Sequence, residues 1–282
     1  MADDHGYFGP DSISWRVNQE MTVLFGGARA LLMHAAHPLV AAGARQTSMY
    51  QRDPWARLLR TLQMQSTMTF GTRAESDEAA ERINRLHYKV NGIDPVTGER
   101  YDAVDPALLL WVHACLEVSS LYFFERTVRP LSPPERDRYH HENLVAADLM
   151  LLPRERVPAD YAGTEAYVAA VIASDRLQVT DVAENVADII RQGPVPTIIK
   201  PLWGFIRFAA FGTLPPKLRM LYGVKWSPGR QRWLDLNLNV LGIVRPFLPE
   251  RFRLIGPARW AMERLAGKHN LTLAEASARR KR

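Results

Sequence analysis

The sequence predicts an all-α fold in a single domain, and three observations carry that expectation. Apolar residues recur at spacings of three and four through most of the chain, as one face of a helix requires. Strand-like alternation is scarce. Asp53-Pro54, Asp105-Pro106 and Ser132-Pro133 each pair an N-capping side chain with a residue whose fixed φ suits a first helical turn. At 282 residues with 47% apolar content, the chain is long for one domain and has ample material for a core.

Taken in order, the elements follow from local chemistry. A helix is expected from Ser14 or Asn18 through Val23, Leu24, Ala28, Leu31 and Leu32 into His34, stopped or kinked by Pro38. A second opens at Asp53-Pro54, carries Trp55, Leu58, Leu59, Leu62 and Met68, and stops at Gly71. Thr72 and Glu75 have capping-box spacing and open a third, through Ala80, Ile83, His87 and Val90 to Asn91-Gly92. After a loop over 94–104, Asp105-Pro106 opens a helix with Leu108, Val112, Cys115 and Tyr122 that is apolar nearly all round and therefore central. Ser132-Pro133 opens the helix containing His140, His141 and Leu144. Further helical patterns cover 164–174 and 180–191. The proline- and aromatic-rich stretch 193–216 reads as irregular chain and one apolar helix, packed on the domain or lying at a membrane surface. Helical patterns return over 216–267, broken at Ser227-Pro228 and Pro246.

Composition removes several function classes. The single cysteine, Cys115, excludes an intrachain disulfide framework and any zinc site built from several cysteines, and reads as a small buried hydrophobe. The acidic N-terminus lacks the basic start and apolar core of a secretory signal, so the expected location is cytoplasmic or membrane-peripheral. No uninterrupted apolar run approaches the length of a membrane span. Much of the net charge of +6 sits in a short basic tail, Arg279, Arg280, Lys281 and Arg282, which is either simply solvated or weakly drawn to anionic lipid. With no zinc finger, RNA-recognition signature or basic stripe interleaved with aromatics, nucleic-acid binding is not expected.

Six residues on apolar helices stand out: His34, His37, Arg57, Arg60, Thr61 and His87. Burying imidazoles and guanidiniums without partners costs several kcal/mol (roughly 2–7 per polar group), and a b-type haem is a group that would satisfy them. His87 shares a helix face with Ile83, Asn84, Val90 and Asn91, where a neutral imidazole could bind haem iron or sit as a hydrogen-bonded core histidine. Arg57, Arg60 and Thr61 share one side of their helix, as a site for carboxylates such as haem propionates or as a solvated basic face. His34 and His37 form an i, i+3 pair that lacks the further ligands of a specific metal site. His113 reads as structural, while His5, His140, His141 and His269 read as exposed. No HExxH, paired ExxH, GxSxG, phosphate loop or GxGxxG is present. The residues by themselves support a helical protein with a candidate histidine-ligated cofactor.

The segments LLMHAAHPLVAAG, RDPWARLLRT, the H-x-x-V-x-G from His87 to Gly92, DPALLLWVHA, VPADYAG and LPPKLRMLYGVKWSP lie between about Phe25 and Pro228. Together they resemble the family of haem-dependent oxygenases that includes the bacterial latex clearing protein and the fungal oxygenase MpaB. The resemblance implies a globin-like helical fold around one b-type haem, with His87 at the position of the proximal iron ligand. Arg57 and Thr61 match the family's distal-side R-x-x-K-T. Arg60 departs from it, since a guanidinium stays protonated and cannot readily coordinate iron where lysine can. The general-base glutamate has no match, and the HAAHPLVAAG segment offers His37 and His34 in its place. These departures, and the missing secretion signal, argue against rubber as the substrate.

The resulting expectation is a haem b-dependent oxygenase that uses dioxygen, and an electron donor, on a hydrophobic isoprenoid or unsaturated lipid-like substrate. His37, Arg57 and Thr61 are its catalytic candidates, His87 its metal ligand, and His87, Arg57, Arg60, Thr61 and His34 its cofactor-binding set. Trp203, Phe205, Phe208 and Phe211 either line a substrate channel or form ordinary core. The competing readings are a non-catalytic haem carrier or sensor ligated by His87 and a distal histidine, and a peripheral lipid-binding protein.

Overall fold

The computed structural model describes residues 4–47, 54–193, 195–273 and 275–276, with only the backbone over 54–60. Among the described residues are fourteen α-helices and one two-stranded hairpin, the all-α architecture expected from the apolar spacing. At the centre runs α6 (Pro106–Thr127), preceded in the chain by five described helices and the hairpin. Asp105 caps it by accepting the N–H groups of Ala107 and Leu108, with Pro106 in the first turn. Trp111, Ala114, Cys115, Leu121 and Phe123 along it are at most 1% exposed. Among the described residues α6 has the length and hydropathy to cross a membrane, yet 67% of that window is buried inside the domain, as befits a core helix.

The most extensive packing on α6 comes from α2 (Leu24–Ala35). Gly26 allows it: a Cβ at this position would stand 2.7 Å from the carbonyl oxygen of Ser119 on α6. Gly26→Ala should therefore push the two central helices apart and destabilise the protein by about 1–3 kcal/mol despite alanine's better helix propensity. Urea unfolding of the variant checks this, and an unchanged midpoint would refute the close approach.

The first expected helix is broken into pieces. Ser12 rather than Ser14 or Asn18 is the cap, accepting the Trp15 N–H at the start of α1 (Ile13–Asn18). A 3-10 turn at Met21–Val23 then leads into α2. Glu20, 2% exposed in the break, pairs with Arg245, and its backbone bridges to Leu254, which gives the interruption its partners. Pro38 starts a helix instead of only stopping one: α3 (Pro38–Thr47) turns by 103° from the preceding segment. Proline loses nothing at a first helical position, where its missing N–H would have had no acceptor.

Next come α4 (Pro54–Phe70) and α5 (Arg73–His87), with Gly71 between them. The capping box is present in both directions, the Glu75 N–H donating to Thr72 Oγ1 at 3.3 Å and the Thr72 N–H to Glu75 Oε2 at 2.9 Å. α5 ends at His87, one turn earlier than the apolar spacing suggests. The residues beyond it form a hairpin, β1 (Asn91–Ile93) and β2 (Arg100–Asp102), with Gly92 opposite Tyr101. Asp94 organises its turn by accepting the N–H groups of Val96 and Thr97. Val90 and Tyr101 pack with Ala42 of α3 and Leu108 of α6, which brings the end of α5 to the start of the central helix.

The remaining elements wrap α6: α7 (Pro133–Leu149), α8 (Tyr161–Ala173), α9 (Asp181–Gln192), α10 (Lys200–Gly212), α11 (Pro216–Leu221), α12 (Pro228–Val244), α13 (Glu250–Arg253) and α14 (Gly256–Leu265). Of the aromatics of the 193–216 stretch, Phe211 is buried, while Trp203, Phe205 and Phe208 are half-buried. Phe211 joins the main cluster, Phe205 and Phe208 pack around Phe123 and Leu234, and the Trp203 indole donates to the Ile190 carbonyl at 2.9 Å.

Candidate functional site

The end of α2, the turn into α3 and the first half of α6 bring His34 to Val112 and His37 to Trp111. His34 lies 3.0 Å from the Val112 carbonyl through Nε2. A carbonyl can only accept, so Nε2 carries the hydrogen and is committed to pinning α2 on α6. His37 follows, its ring 6.5 Å from that of Trp111. The nitrogens His37 Nδ1, Trp111 Nε1 and His113 Nε2 are buried without a hydrogen-bond partner among the described residues.

His87 closes α5 and is half-buried, and its Nδ1 is likewise buried and unpartnered. Burial lowers its pKa. The pKa values of His34 and His37 fall to about 4, driven first by burial; for His37 the Arg176 charge adds to the lowering and Asp105 opposes it. All three imidazoles are thus held neutral, and His37 and His87 each keep a buried Nδ1 without a hydrogen-bond partner, where a neutral imidazole can accept a proton or bind a metal. Thr61 sits on the exposed side of α4. The side chains of Arg57 and Arg60 lie outside the described residues, so the expectations placed on them are tested only to the extent that both fall on α4.

These lowered values fix a pH dependence. A histidine whose folded pKa lies below its unfolded value of 6.5 contributes stability that is complete above pH 6.5 and is lost as pH falls toward about 4. Each of His34 and His37 should forfeit on the order of 3 kcal/mol across that window. Urea midpoints at pH 7, 5.5 and 4.5, set against those of His34→Gln, should show a flatter acid limb in the variant. Parallel acid limbs would remove His34 as a contributor.

One buried polar group in this region was missed by the sequence reading. Glu117, on the central apolar helix one turn beyond His113, is 3% exposed. Its Oε1 is 2.9 Å from His140 Nδ1, and Oε2 has no hydrogen-bond partner but lies 3.9 Å from His113 Nε2. His140 is not exposed as expected but 0% exposed, because Glu117, the Pro158 carbonyl at 2.9 Å from Nε2 and the Thr164 hydroxyl at 3.4 Å satisfy its ring. Burial pulls the His140 pKa down, while the bond and charge of Glu117 and the Pro158 carbonyl outweigh it and leave the net value raised. His113 shifts the other way, lowered by burial against the pull of Glu117. His269 also departs from expectation, stacked at 4.0 Å on Trp260, whereas His5 and His141 are exposed.

Glu117 and His113 border a cavity of about 70 Å³ together with Gln65, Met68, Tyr139 and Asn143. It has room for two or three waters and is too small for a macrocycle. Its α4 wall begins one turn after Thr61, so it adjoins the helix that carries the three candidates Arg57, Arg60 and Thr61. No group of three or more His, Cys, Asp or Glu able to hold a bare metal ion occurs among the described residues.

Comparison with known proteins supplies the family context. A family model described as ER-bound oxygenase mpaB/B'/Rubber oxygenase, catalytic domain, matches residues 15–245. An uncharacterized protein of Mycobacterium bovis, Mb2261, and one of Mycobacterium tuberculosis, Rv2237, are each 27% identical over 234 residues, covering 79% of this chain and 89% of the relative. No solved structure matches.

Proposed function

This chain belongs to the family of mpaB and rubber oxygenase catalytic domains, and from that premise we propose that it is a haem b-dependent oxygenase acting with dioxygen on a hydrophobic, isoprenoid or unsaturated lipid-like molecule. The observation that supports haem is a pair of neutral, half-buried imidazoles, His87 and His37, whose Nδ1 atoms are buried without a hydrogen-bond partner. An unsatisfied buried polar atom costs about 1–3 kcal/mol, so such atoms mark where a partner belongs. The donor set fits haem better than a bare ion, since haem iron needs one or two protein ligands and no acidic cluster.

In this reading His87 would hold the iron, and Arg57 and Arg60, which fall on α4, would be the partners of the propionates. When bound, haem b supplies the redox-active iron at which dioxygen chemistry takes place. The chain's own residues do the rest. His37, uncharged near neutral pH, can hold or release a proton at the reacting side. Thr61, on the exposed side of α4, would offer a hydroxyl. The Glu117–His140 pair holds a proton at Nδ1 or Oε1 inside the fold, next to the water-sized cavity, as a reserve for the site.

The test is the absorption spectrum of the full chain expressed with ample haem. A Soret band that shifts on reduction and exposure to carbon monoxide supports an iron with an open side. A six-coordinate spectrum that resists carbon monoxide and changes in His37→Ala would favour the carrier reading instead. A protein that purifies without haem and takes none up on titration would overturn both.

A further inference from the structure

We infer that the outward face of α12 is a docking surface for an anionic lipid bilayer. The inward face of this helix is ordinary core: Leu234 and Leu238 are fully buried, and with Leu241 they pack on Phe205, Ala209 and Phe123. The opposite face is where a surface helix normally carries polar side chains. Here it carries Trp233 at 59% exposure, Leu236 at 52%, Val240 at 47% and Ile243 at 69%, and the row continues past the helix end to Phe247 at 83%. The spacings of three, four and three keep the four helical residues within an arc of about 80° on a helix of 100° per residue. Single exposed apolar residues are unremarkable, but a continuous row of this length marks an interaction surface.

The charges around the row select its partner. Arg230 and Arg232 are exposed at its start, and Arg251 and Arg253 flank its end, with the Arg251 guanidinium 4.9 Å from the exposed Phe252 ring. Of the two acids in this segment, Asp235 is engaged by Arg126, which leaves Glu250 against the four arginines. A second copy of the chain is a poor occupant. Pairing the row with itself in antiparallel fashion would set Arg230 and Arg232 against Arg251 and Arg253, and parallel pairing would set each against its own kind. An anionic membrane neutralises both ends at once. The row is also a convex ridge of one helix, with Trp and Phe among bulky aliphatics, which is the form that enters the boundary between headgroups and acyl chains. This surface is distinct from the basic tail and from the 193–216 stretch, and the inference does not depend on haem.

Co-sedimentation of the full chain with vesicles tests it, using phosphatidylcholine with and without phosphatidylserine. Binding to the mixed vesicles that weakens with salt is expected. Ile243→Ser combined with Phe247→Ser should lower it by about tenfold or more, with an unchanged melting temperature because both side chains are exposed. Arg230→Gln and Arg232→Gln should each cost about fivefold on mixed vesicles only. A chain shortened by the last four residues should keep the sensitivity to the serine substitutions. The inference is overturned by an absence of vesicle binding, by binding indifferent to the serine substitutions, or by a concentration-dependent dimer in light scattering that those substitutions dissolve.

Discussion

His87→Ala is expected to abolish the Soret band and to weaken haem uptake on titration by at least about a hundredfold, since even residues behind a ligand commonly change metal affinity by 10–100-fold. The same substitution should leave the haem-free protein as stable as the wild type or slightly more stable, by up to about 1 kcal/mol. The reason lies in the geometry. His87 is the last residue of α5, half-buried, and its Nδ1 makes no hydrogen bond, so truncation removes a desolvation cost and breaks no bond of that atom. A histidine that served only the core would give the opposite pattern, with lost stability and no change in the spectrum. Chemical denaturation of the haem-free proteins and haem titration of both therefore separate the two roles. A Soret band retained by His87→Ala would move the iron ligand elsewhere, with His37 and His113, each carrying a buried, orphaned nitrogen, the next candidates.

Much of this fold was legible because its punctuation is local. Thr72 with Glu75, Ser132 with Pro133 and Asp105 with Pro106 open helices where their side-chain chemistry requires. The apolar circumference of α6 announced its central position, and Cys115 is buried and free as its surroundings suggested. What escaped depended on partners distant in sequence. The break at Glu20 is held by Arg245, and the burial of His140 depends on Glu117 and Pro158. A glutamate in the run WVHACLEVSS gives no local sign of whether it faces solvent or a histidine on another helix; only the apolar residues around it hinted at a buried charge. The apolar ridge of α12 escaped for a related reason. Its leucines, valine and isoleucine surround the helix, and only packing against Phe205 and Phe123 decides which of them remain outside. Of the candidate site, His87 and His37 could be singled out from spacing and resemblance, whereas the network beside the cavity required the fold.

That network carries the largest stability prediction. Glu117→Ala should destabilise the protein by about 3–5 kcal/mol, because it leaves a fully buried His140 without the carboxylate that faces Nδ1 and enlarges a cavity the core already tolerates. Glu117→Gln should cost less, about 1–2 kcal/mol, since the amide can still donate to a neutral Nδ1 while Nε2–H keeps the Pro158 carbonyl. The two variants then predict a pH dependence opposite to that of His34 and His37. The folded pKa of His140 is raised above its unfolded value of 6.5, so the pair's contribution is complete below pH 6.5 and fades as pH climbs through the folded value. The gap in stability between wild type and Glu117→Gln should be wider at pH 6 than at pH 9, and urea unfolding at both pH values measures it. A gap that does not change with pH would mean that no proton is shared between Glu117 and His140. If the gap narrows as expected, the haem spectrum of Glu117→Gln becomes decisive for function: the cavity is too small for the macrocycle, so the band should be unchanged. Turnover that falls while the band is unchanged would then assign the pair to proton supply, since neither haem binding nor the overall fold would account for the loss.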